Sequence, residues 1–187
     1  MVFTAEFIQN VIVLLITALL SGFLIPYILK MVDDSKSQRR KITEAELQRQ
    51  EKIIEAQSKL LDDITRLLWQ WRYLSIKLTY YGGQNQGDSY TQARQQYDVN
   101  VWDILNALRT EISRARRLVS EAAYQQLLLL YKDIVQLDRD LRTLEGLTGV
   151  EQQMTAVEFN QRIYGPLSAQ IDDVLHDLAV ATKLINH

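Results

Sequence analysis

Apolar residues along the chain fall into two regimes. From Phe7 to Leu29 they run almost unbroken, FIQNVIVLLITALLSGFLIPYIL, without a charge. From residue 43 onward they recur at spacings of three and four, the period at which one face of an α-helix turns inward. The first regime covers 23 residues. At about 1.5 Å per helical residue it spans roughly 34 Å, enough for the hydrocarbon core of a bilayer. It predicts a transmembrane helix. A cleaved signal peptide has a basic segment ahead of a shorter apolar run, whereas here Glu6 precedes the run and no basic residue does.

The second regime predicts four amphipathic helices, at about 43–80, 89–119, 121–145 and 155–186. Thr43 with Glu46 has the form of a capping box that starts the first, and Leu47, Ile54, Leu61 and Leu68 set its stripe. Gln50 and Gln57 interrupt that stripe, so its first half reads as a solvated stalk and core begins near Leu60. Residues 81–88, YGGQNQGD, read as a loop. Tyr97, Val101, Ile104, Leu105, Leu108, Ile112, Ala115 and Val119 mark the second helix. Ser120 is the predicted N-cap of the third, which carries Leu or Ile at every inward heptad position, from Leu127 to Leu144. Gly146 to Gly149 close it, and Thr155 with Glu158 offers a capping box for the fourth. Gly165-Pro166 is expected to kink or break that last helix. Four amphipathic helices with short connections predict an antiparallel four-helix bundle.

The expected architecture is therefore all-α. A six-residue N-terminus precedes one transmembrane helix at 7–29, a basic juxtamembrane segment fills 30–42, and a helical bundle fills 43–187. Lys30, Lys36, Arg39, Arg40 and Lys41 follow the span and no Lys or Arg precedes it. The positive-inside rule then places the N-terminus outside and the bundle in the cytoplasm, at the inner membrane of a bacterial-type cell. Those five cations are also candidates for contact with anionic lipid headgroups. Within the span, Pro26 predicts a bend near Ser21 and Gly22, where it crowds the Gly22 carbonyl. Asn10, Thr17 and Ser21 share a face beside Ala18 and Gly22, a small-residue surface suited to packing against another transmembrane helix.

Composition adds mainly exclusions. The chain has 187 residues, enough for one domain and an appendage. It has no cysteine, which removes disulfides, thiolate zinc sites and a cysteine nucleophile. A net charge of -2 gives no support to nucleic-acid binding. Only two histidines occur, His176 and the terminal His187. Asp172, Asp173, His176 and Asp177, with Asp62 and Asp63 on another helix, make a weak metal candidate, and no metal or other cofactor is expected. The arginine-to-histidine signature of helical ribonucleases fails at both histidines, no nucleophile elbow exists, and Gly82-Gly83 lacks the rest of a phosphate loop. No catalytic motif and no small-molecule substrate is indicated.

What remains is interaction. Trp69 and Tyr73 fall off the centre of the core register and, beside Arg72, resemble an interface anchor, with core or helix-helix packing as the favoured alternative. The run Arg109, Arg114, Arg116 and Arg117 reads by default as solvated or snorkelling flanks of the apolar stripe, and Arg114 and Arg117 are the candidates for an acidic partner or headgroups otherwise. The expected function is a membrane-anchored scaffold that binds a protein partner or assembles with itself. The alternative expectation is an oligomeric pore or membrane-perturbing effector formed by the single span.

Overall fold

The computed structural model describes residues 25–84 and 87–182. Their backbone is all-helical: α1 (Ile25–Gly83), α2 (Gly87–Ala115), α3 (Glu121–Arg142) followed by a 3-10 turn (Thr143–Gly146), α4 (Gly149–Arg162), a π-helical turn (Ile163–Leu167) and α5 (Ser168–Ala181). The chain divides into two units, 1–51 and 52–187.

In the first unit the described residues are the N-terminal part of α1. Lys30 and Lys41 are exposed there, and so are Ile42 and Leu47. Lys36, Arg39 and Arg40 lie on the same helix. The expected helix start at Thr43 is not a start: Thr43 is interior to α1. No glycine or proline lies between Tyr27 and Tyr81, so nothing in this stretch breaks a helix. Among the described residues no helix is long and apolar enough to cross a membrane. Most of the apolar run, with Asn10, Thr17, Ala18, Ser21 and Gly22, lies outside the described residues. The bend expected between Gly22 and Pro26 falls at that boundary.

The second unit is a bundle around one apolar core. Leu60, Ile64, Leu68, Trp71 and Leu78 enter it from α1, and Tyr97, Val101, Leu105 and Leu108 enter from α2. From α3 come Leu127, Leu130, Ile134, Leu137 and Leu141, and from the 3-10 turn after it Leu144, each at most 1% exposed. Ile163, Leu167, Ile171, Val174 and Leu178 complete it. Each such side chain contributes about 1.5 to 3 kcal/mol by leaving water. The expected onset of the core at Leu60 holds, since Ile53 and Ile54 remain exposed.

Neighbouring helices are antiparallel. Gln57 Nε2 donates to the Leu118 carbonyl at 2.6 Å, fastening α1 to the turn after α2. At the opposite end Arg94 donates to Asp98 (2.8 Å), Glu145 (3.1 Å) and the Leu141 carbonyl (3.3 Å), joining the start of α2 to the end of α3. Burial opposes the Arg94 charge, but the hydrogen bond and field of Asp98, aided by Tyr90 and Glu145, hold its pKa above the ordinary value. Ser120 caps α3 as expected, its hydroxyl accepting from the Ala123 amide at 3.3 Å.

Element ends differ from expectation in three places. The loop expected at 81–88 is shorter, because Gly82 and Gly83 belong to α1. A Cβ on Gly82 would come within 3.1 Å of Ala156 Cβ, and one on Gly83 within 3.0 Å of Val157 Cγ2. These glycines let α1 approach α4. The second helix begins two residues early at Gly87 and ends at Ala115, before a turn that includes Arg117. The fourth begins at Gly149, not Thr155, and Gly149 takes a positive φ of 62° that favours glycine. At Gly165-Pro166, where a kink or break is expected, the α-helix is interrupted by a π turn that separates α4 from α5. Proline cannot close the regular bond, and the chain widens into a π turn. Ser168 Oγ then donates to the Ile163 carbonyl at 2.5 Å.

Candidate functional site

Of the residues singled out for interaction, Trp69, Arg72 and Tyr73 form a surface and Arg114 and Arg117 do not join it. Trp69 and Tyr73 lie one helical turn apart on α1, 41% and 60% exposed. Between them the Arg72 guanidinium stacks over the Trp69 ring at 4.5 Å. It also lies over the ring of Tyr164, 5.7 Å away, carried by the π turn. Arg72 is half-buried, and its Nε is enclosed without a hydrogen bond. Arg114 pairs with Glu111 at 3.4 Å and Arg117 is exposed. Both lie near Leu118, whose carbonyl meets Gln57. Twelve residues of α1 separate Gln57 from Trp69, roughly 18 Å of helix.

Tyr164 is the member that the sequence did not reveal. With α4 beginning at Gly149, exposed residues Val150, Met154, Val157 and Tyr164 follow spacings of four, three and seven along one face. That pattern is visible in the sequence, but a helix started at Thr155 cuts it in half. On α1 the matching outward stripe is Trp69, Tyr73 and Tyr80, with Ile76 half-buried between them.

A second guanidinium and tryptophan pair occupies α2 and α3. Arg142 lies over Trp102 at 5.1 Å. Its Nε donates to Asp138 Oδ2 at 3.3 Å, and the Tyr97 hydroxyl donates to Asp138 Oδ1 at 2.8 Å. Asp138 is buried. Desolvation, then the charge of Asp138 and the hydrogen bond to it, push the Tyr97 phenol well above its ordinary pKa. Ser75 and Trp71 oppose this weakly. The Trp71 indole N–H is itself buried without a hydrogen-bond partner.

Asp172, Asp173, His176 and Asp177 are all exposed, and no metal-ligand set assembles among the described residues. No protein-family model matches the chain, and neither a curated protein nor a solved structure does.

Proposed function

We propose that the chain is a membrane-anchored helical scaffold whose bundle presents the Trp69, Arg72 and Tyr73 face to a protein partner. The observation that carries this reading is the stacked Trp69, Arg72 and Tyr164 group on the bundle surface. Tryptophan, tyrosine and arginine are the residues that dominate binding energy at protein interfaces. The anchor is the charge-free run Phe7 to Leu29, and the basic residues after it orient the bundle to the cytoplasmic side.

The absence of native cysteine makes the anchor testable by labelling single introduced thiols. In right-side-out membrane vesicles, Thr4→Cys should react with a membrane-impermeant maleimide and Ser37→Cys only after permeabilisation. Alkaline carbonate should leave the chain in the membrane pellet. Labelling of Ser37→Cys in sealed vesicles reverses the orientation, and release by carbonate removes the span.

A further inference from the structure

The two outward stripes adjoin. α1 and α4 run antiparallel and meet where Gly83 approaches Val157 and where Asn160 Nδ2 donates to Thr79 Oγ1 at 2.8 Å. The seven large apolar side chains in the stripes are each between 41% and 70% exposed. With about 150 to 250 Å² for each aromatic, their exposed parts total on the order of 700 Å². The largest apolar patch on an ordinary monomer is about 300 to 600 Å². One side of a standard protein interface buries about 800 Å².

Charge narrows the occupant. Four arginines in the bundle are half-buried. Arg94, Arg114 and Arg142 each hold a carboxylate. Among the described residues Arg72 holds none, and its only contacts of this kind are the faces of Trp69 and Tyr164. A guanidinium fixed on two rings at the edge of an apolar seam is oriented for a carboxylate, the anion that matches its planar donors. The stripes themselves contain no Asp or Glu. A second copy of this surface would set its own guanidinium against Arg72, and its exposed Glu151 and Glu158 lie beside the α4 stripe rather than in it.

Shape narrows it further. From Val150 to Tyr164 the α4 stripe runs about 21 Å, close to four turns of helix. The backbone along both stripes is helical, so it has no strand edge for an extended peptide. We infer that this seam docks an amphipathic helix of a protein partner, with apolar residues at helical spacing along the seam and an Asp or Glu on Arg72. The inference rests on the interaction reading above and names the chemistry of the partner.

The test uses the full chain in its native membrane, with the photo-crosslinker benzoylphenylalanine replacing Tyr73, Tyr164 or, as a control on α3, the exposed Leu129. Both seam positions should capture one and the same protein, and Leu129 should not. The captured peptide should read as an amphipathic helix carrying Asp or Glu. Arg72→Glu should lower the yield about tenfold or more, and changing that acidic residue of the partner to Lys should restore it. Capture of a second copy of the chain, of lipid alone, of a proline-rich or uncharged segment, or of nothing overturns the inference, as does an unchanged yield with Arg72→Glu. If carbonate releases the chain but the charge-swap rescue holds, the membrane anchor fails and the docking seam stands.

Discussion

Two arginines of the bundle lie over tryptophan rings, and they differ in what stands behind the charge. Arg142 is backed by Asp138, which also accepts from the buried Tyr97 hydroxyl, so the chain Trp102, Arg142, Asp138 and Tyr97 runs from solvent into the core. Among the described residues Arg72 is backed by aromatic faces alone. A charge paired with a carboxylate, as at Arg142, fastens helices together, although Arg142 Nη2 is itself buried without a hydrogen bond. An unsatisfied one, already stacked and partly desolvated, leaves its hydrogen-bonding capacity for another molecule. Similar surface chemistry therefore serves cohesion at one place and, under the proposal above, recognition at the other, and a carboxylate decides which.

That contrast predicts unequal costs when each member is removed. Asp138→Ala should have the largest effect, about 3 kcal/mol in urea unfolding, because it strands a buried phenol and a guanidinium together. A loss below about 1 kcal/mol would show that the network does not hold α2 to α3. Tyr97→Phe should cost about 1 to 2 kcal/mol at neutral pH. Its pH dependence is more specific. The folded phenol has a raised pKa, so its contribution is complete below the unfolded value near 10 and declines as pH rises beyond it. The urea midpoint should therefore fall less steeply between pH 9 and 11 in Tyr97→Phe than in the parent chain. Equal slopes would remove Tyr97 as the titrating group. Trp102→Ala should cost about 0.5 to 1 kcal/mol, the range of an exposed cation–π contact. Arg72→Gln should be the mildest, within about 0.5 kcal/mol in stability, while crosslinking at Tyr164 falls. A large stability loss there would make Arg72 a second fastener and erase the comparison.

Much of the bundle was legible because its core follows a period. The Leu and Ile positions of α3, the stripe from Leu60 to Leu78 and the Ser120 cap all follow from local spacing or local hydrogen bonding. The helix ends at Gly83 and Gly149 were not legible. Glycine at the close of an amphipathic run ordinarily signals a loop, and only the approach of Ala156 and Val157, more than seventy residues away, makes it a contact surface. Asp138 carries no signal in the sequence, because Arg142 is an ordinary partner one turn ahead on its own helix and the buried Tyr97 lies 41 residues back on α2. Trp69, Arg72 and Tyr73 were visible as residues out of register. Tyr164 was not, since it joins them only through the π turn and the α1 to α4 seam.

The antiparallel order has a mechanical consequence. With an even number of passes, α1 enters the bundle beside the Gln57 and Leu118 fastening, and α5 returns to that same end. A pull between residues 52 and 182 would load adjoining ends and peel the helices apart turn by turn. A pull between residue 52 and the opposite end, where Arg94 ties α2 to Glu145, would instead have to slide whole packed faces past one another. Force applied at the far end therefore meets the stiffer direction of the bundle.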